Sequence, residues 1–121
     1  MQLNKNNAGL AAEQLAATFL ASHGLKLVMQ NYHTRFGEID LIMQDAVSLV
    51  FVEVKLRTSS QFGGAAASVT PQKQQKLILA AQQYLQQHVK NQNQVACRFD
   101  VILMTGNDLK QIEWIRNAFE T

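Results

Sequence analysis

The chain has one cysteine, one proline and one tryptophan among its 121 residues. A lone cysteine excludes an intramolecular disulfide and a cysteine-based zinc cluster, so the fold must rest on its apolar core, and a reduced cytoplasmic setting is expected. No stretch approaches the roughly eighteen consecutive apolar residues that a spanning helix needs. The start, Met-Gln-Leu-Asn-Lys-Asn-Asn, has no apolar signal core, so neither secretion nor a membrane partner is expected. Charge of either sign is also in short supply: a net +2 and a pI near 8.9 say little by themselves about nucleic acid. Gly63 and Gly64 sit in a small, polar stretch over 58–69 that lacks a Gly-Lys-Ser/Thr ending, which argues against a nucleotide cofactor. At this length one domain is expected, with about two-thirds of its unfolded surface buried.

What is present reads as alternating helix and strand. Asn6 or Asn7 caps a helix to Ser22, stopped by Gly24, with a core stripe of Ala8, Ala12, Leu15, Ala16 and Phe19 and with Glu13 at its edge. Strands are expected over 25–32, 38–43 and 49–55, then a helix from Thr70-Pro71 to Val89 whose Leu77, Ala81, Tyr84, Leu85 and His88 share a face. Residues 95–104 form a near-continuous apolar strand holding Cys97, with burial on both faces. Its Arg98 and Asp100 share a face and read as a structural ion pair, because buried charge needs a partner. Gly106-Asn107-Asp108 is a turn, 109–115 a short closing strand, and Ala118 and Phe119 dock the end of the chain. None of the three histidines has a partner at metal-ligand spacing, and surface or helix-end roles suit them.

The chemistry concentrates between Gly37 and Arg57. Apolar alternation makes 38–43 and 49–55 a β-hairpin in which Ile39, Leu41 and Met43 join Val50, Val52 and Val54 on one face. A two-residue turn at Asp45 and Ala46 sets Ile39 opposite Val52 and Asp40 opposite Phe51. Asp40, Glu53 and Lys55 then share the other face, with the two acids about 7 to 8 Å apart at the backbone. A four-residue loop keeps this parity, and an odd one breaks it. Two such carboxylates can hold Mg²⁺ or Mn²⁺ while leaving positions for water and phosphate, and the lysine adds a positive charge for the transition state. Arg57, Lys73 and Lys76 cluster near the site in sequence and are candidates for nucleic-acid phosphates.

Asp40, twelve intervening residues, then Glu53-Val54-Lys55 resembles the PD-(D/E)XK nuclease superfamily. The longer string from Gly37 to Ile42 with Val50 to Arg57 looks like the bacterial YraN-like family. The likeness extends to Gly9, Glu13, Ala16, Val69-Thr70, Lys73, Arg98 to Val101 and Ala118-Phe119. It implies an α/β, restriction-endonuclease-like core with a mixed β-sheet flanked by helices in αβββαββ order, similar to archaeal Holliday-junction resolvases. It also implies Asp40, Glu53 and Lys55 as active-site residues, with Glu13 as a helix-borne fourth member and third metal ligand. Ile39 stands where the superfamily carries its proline, as is usual in the YraN-like group, and Ala12 where a glycine commonly precedes the helical glutamate. The expectation is a Mg²⁺- or Mn²⁺-dependent endonuclease on DNA, on branched or damaged forms in particular, with a homodimer an allowed assembly. The competing expectation is a nucleic-acid-binding or protein-adaptor module that keeps the fold without cleaving.

Overall fold

The computed structural model describes residues 7–57, 69–90, 95–105 and 111–120. Helix α1 (Asn7–Ser22) is followed by β1 (Lys26–Thr34), β2 (Gly37–Gln44) and β3 (Ser48–Arg57), then α2 (Pro71–His88), β4 (Ala96–Thr105) and β5 (Gln111–Phe119). This is the expected αβββαββ order. The strands form one mixed sheet in the order β1-β2-β3-β4-β5. β3 and β4 are parallel, with α2 between them in the chain, and every other neighbouring pair is antiparallel. The expected turns at 91–94 and 106–108 and most of the 58–69 stretch lie outside the described residues.

The helices cover opposite faces of this sheet. Alternation along β3 and β4 sends Val50, Val52, Ile102 and Met104 to Ala12, Ala16 and Leu20 of α1. It sends Phe51, Phe99, Val101 and Leu103 to Leu77, Ala80, Ala81 and Tyr84 of α2. Alanines on the inner side of α1 let its backbone approach the sheet. Its end is set by Gly24, which adopts φ +95°. Gly24 N then donates to Ala21 O at 3.0 Å and Leu25 N to Leu20 O at 3.1 Å, a Schellman closure in which Leu20 and Leu25 share the core. For α2, the Thr70 hydroxyl accepts from Lys73 N at 3.1 Å and Pro71 takes the first turn, as expected from sequence.

Several sequence expectations are corrected. Leu15, assigned to the α1 stripe, is 43% exposed, and Leu20 takes its place. α1 is apolar on more than one side, so spacing alone did not fix which side faces the sheet. That rotation carries Glu13 from the stripe's edge into the interior. Cys97 is exposed, because β4 becomes buried only from Phe99 onward. β5 runs to Phe119, whose ring stacks on Phe99 at 4.8 Å, so the docking residues belong to the strand itself. The hairpin turn is centred on Ala46 and Val47, one residue later than expected. Asp45 fixes it: its Oδ1 accepts from Val47 N at 2.9 Å and Ser48 N at 2.7 Å, while its backbone N donates to Ser48 O at 3.0 Å. The pairs become Leu41 with Val52 and Met43 with Val50, two residues out of the expected register but with the same parity.

Arg98 and Asp100 do form the expected structural pair, and the structure adds partners. Arg98 Nε donates to both Asp100 oxygens at 3.1 and 3.2 Å, and its Nη1 reaches Asp45 Oδ2 at 2.8 Å. Asp100 also accepts from Trp114 Nε1 and Asn117 N, each at 2.9 Å. The buried carboxylate therefore ties β4 to β5 and, through Arg98, to the hairpin turn. Asp100→Ala leaves these donors without their shared acceptor and is expected to lose about 3–5 kcal/mol of stability in urea unfolding. Trp114→Phe removes one hydrogen bond and should lose only about 1 kcal/mol in the same assay.

Candidate active site

The site opens where β2 and β3 part. Their paired positions run from Gln44 with Leu49 to Leu41 with Val52 and then stop, while β3 keeps its pairing to β4 as far as Arg57. At the next step Asp40 offers its side chain in place of its backbone, and Oδ2 accepts from Val54 N at 2.9 Å. The neighbouring position on β1 is equally irregular. Asn31, between the pairs Gln30–Leu41 and Tyr32–Ile39, takes φ +53°, a left-handed conformation that asparagine tolerates. Alternation is broken here: Ile39, expected on the face of Leu41 and Met43, instead joins the α2-side cluster with Ile42 and Phe51.

The parting strands leave a cavity of about 410 Å³ lined by Asp40, Glu53, Lys55, Glu13, Glu38 and Lys73, among others. Three of its acids are withdrawn from water: Glu13 is 3% exposed and Asp40 and Glu53 are each 6% exposed, while Glu38 is only partly buried. Asp40 is oriented by the Val54 amide. Glu53 projects from β3 towards the start of α2, where Lys73 Nζ lies 3.4 Å from its Oε2. Its other oxygen, Oε1, is buried with no hydrogen-bond partner among the described residues. Lys55, two residues further along β3, is half-buried in the same cavity wall.

Burial and the neighbouring Asp40 carboxylate push the pKa of Glu53 up to about 7. Lys73 and Lys55 pull it down without cancelling the rise, and a proton held between Glu53 and Asp40 raises it further by bonding the pair. The site thus has one carboxyl that changes charge near neutrality beside a carboxylate held by a backbone amide.

This donor set fits a hard divalent cation. Such an ion prefers carboxylate oxygens and water, and the buried Oε1 of Glu53 is an acceptor with no donor among the described residues. Among the described residues no three His, Cys, Asp or Glu side chains gather closely enough to enclose a metal. An ion here would be held by Asp40 and Glu53, with water completing its shell.

Of the residues singled out from sequence, Glu13, Asp40, Glu53, Lys55 and Lys73 line one cavity. Lys76 is exposed on α2 near Gly37 and is not among the lining residues. Arg57 ends β3 paired with Thr105, and its side chain lies outside the described residues. Sequence reasoning missed Glu38 as a lining residue, although its place two residues before Asp40 on one strand was the signal. It also placed Lys73 on nucleic-acid phosphate without seeing its partner Glu53. The helix start at Thr70-Pro71, soon after β3, was the available hint.

An α/β fold with a mixed five-stranded sheet and an acid-and-lysine pocket at its centre is the class of protein this geometry defines. The chain belongs to the uncharacterised protein family UPF0102, matching it over residues 12–104, which bears out the YraN-like resemblance. It is 52% identical to a UPF0102 protein of Nitrosospira multiformis across 93% of this chain and 92% of that one. It is 54% identical to UPF0102 proteins of Nitrosomonas eutropha, across 94% of each chain, and of Saccharophagus degradans, across 94% of this chain and 93% of that one. No described helix is long and apolar enough to cross a membrane.

The raised Glu53 pKa has a signed consequence for stability. The folded chain keeps a proton on Glu53 up to about pH 7, whereas an unfolded chain releases it near the ordinary 4.5. Between those values the native state binds more protons, so this contribution is intact at low pH and is lost as pH rises through about 7. Calorimetry of cation-free protein from pH 5 to 8.5 should show the melting temperature of Glu53→Gln falling less with pH than that of the wild type. At pH 8.5 the variant should melt higher. Parallel curves for the two proteins would remove the buried-proton account.

Proposed function

We propose that this chain is a divalent-cation-dependent endonuclease with a restriction-endonuclease-like core, hydrolysing DNA phosphodiesters on branched or damaged forms. The observation that carries the reading is the pair of buried carboxylates, Asp40 and Glu53, set side by side with Lys55 where two strands part. A structural role accounts poorly for that pair, since two adjacent buried carboxylates repel unless a proton or a cation joins them.

Bound Mg²⁺ or Mn²⁺ would supply polarisation of a phosphoryl oxygen and a more acidic water. The residues of the chain do the rest. Asp40 and Glu53 would hold and orient that charge, Asp40 with its carboxylate aimed by Val54 N. Lys55 lies beside both acids, where its ammonium orients the attacking water and opposes the negative charge that builds on the phosphoryl oxygens. Glu13 enters the same cavity from α1, where its carboxylate would add to the negative charge that holds a cation. Arg57, Lys73 and Lys76 supply positive charge for backbone phosphates on either side of the scissile bond.

Purified protein with Mg²⁺ or Mn²⁺ is expected to cut at least one of a set of linear, nicked, flapped and four-way DNA substrates. Lys55→Met should reduce cleavage about 10²-fold or more, while affinity for the same DNA changes little. Lys76→Ala should instead weaken binding and lower the log-log salt slope by about one, leaving turnover at saturating DNA nearly unchanged. Folded wild type that cuts nothing in the set with either cation, together with a Lys55→Met variant indistinguishable from it, would leave a binding or adaptor module as the function.

A further inference from the structure

The first turn of α2 carries the opposite charge from the one its dipole favours. A helix N-terminus is stabilised by acidic side chains, yet this turn has none and holds Lys73. The lysine is well anchored at its base, since Lys73 N donates to the Thr70 hydroxyl at 3.1 Å. Its ammonium reaches Glu53 Oε2 at 3.4 Å. The two partners differ sharply in freedom: the Glu53 side chain is 8% exposed and that of Lys73 is 41% exposed. The acid is fixed by the sheet, whereas the lysine can turn into solvent on its flexible stem.

Two positive charges would therefore seek the same carboxylate, the resident ammonium and an incoming divalent ion. We propose that Lys73 is a built-in competitor for the cation position. It pairs with Glu53 while the site holds no cation, is displaced when one settles between Asp40 and Glu53, and then turns outward to a phosphate of the nucleic acid. This rests on the nuclease reading for the identity of the incoming charges and gives Lys73 a positioning role. One ammonium cannot serve Glu53 and a distant phosphate at once. Capturing it on phosphate therefore frees Glu53 for the cation, and the two binding events must favour one another reciprocally.

The test is Mg²⁺ affinity, measured by calorimetry without any cleavage readout on wild type, Lys73→Met, Lys73→Arg and Lys76→Met. A pH of about 9, well above the ordinary carboxylate range, keeps proton competition small. Removing a positive charge a few ångströms from the ion should make Lys73→Met bind Mg²⁺ about tenfold more tightly. Lys73→Arg keeps the charge and should bind as the wild type does, as should Lys76→Met. A short DNA duplex, added to saturation, should tighten Mg²⁺ binding by wild type more than by Lys73→Met. The substituted side chain is partly solvent-exposed, and circular dichroism with a melting curve confirms that each variant is folded. Equal or weaker Mg²⁺ binding by folded Lys73→Met overturns the proposal while leaving the nuclease reading intact. No Mg²⁺ binding by any of the four proteins overturns both.

Discussion

Two carboxylates buried side by side are the constraint around which this molecule is arranged. Asp40 and Glu53 would repel each other strongly if both were charged and out of water, and the fold offsets that in three ways. A backbone amide, Val54 N, takes up one oxygen of Asp40. A lysine from the first turn of α2 reaches Glu53. A proton remains on Glu53 to about neutral pH. Each device requires a particular piece of architecture. The amide is available only because β2 and β3 stop pairing after Leu41 and Val52. The lysine arrives only because α2 begins beside the open end of β3. The retained proton follows from the burial of Glu53 where the strands part, beside Asp40.

Much of this was legible in the sequence because it depends on parity. Apolar alternation across the hairpin required an even loop, and any even loop puts Asp40 and Glu53 on neighbouring strands with compatible orientation. The turn itself was misplaced by one residue. Its position is decided by Asp45, whose carboxylate captures two turn amides and Arg98, and the arginine lies far away in sequence. Glu13, at the edge of the expected stripe, does line the cavity, and the helix turns it further inward than the stripe implied. An alanine-rich helix with leucines on several sides does not announce its inner face, and Leu20 was chosen over Leu15 by contacts with Leu41, Met43 and Met104. The break in alternation at Ile39 was invisible for a related reason. It falls beside a left-handed Asn31 on the adjacent strand, a backbone state that no side-chain period records.

The sheet holds a third buried acid, Asp100, and the contrast explains why only one region invites chemistry. Asp100 is as deeply buried as any group in the site, yet its oxygens are fully engaged by Arg98, Trp114 and Asn117. An acid whose donors are all supplied by protein has nothing left to offer a ligand. Among the described residues Glu53 has one lysine at one oxygen and no donor at the other. Burial alone does not distinguish the two, whereas the count of satisfied lone pairs does.

The only non-glycine residues at positive φ among those described are Asn31 and Asn117. Each lies on an outermost strand of the sheet, β1 or β5, beside a buried aspartate one strand inward. The pairing register slips on both strands, between Leu27 and Met29 on β1 and opposite Phe99 to Val101 on β5. An exposed sheet edge is a template for strands of other chains, and a long, flat run of free amides and carbonyls is what makes it dangerous. Neither margin here offers such a run. The kinks beside Asp40 and Asp100 thus also interrupt the rims of the sheet.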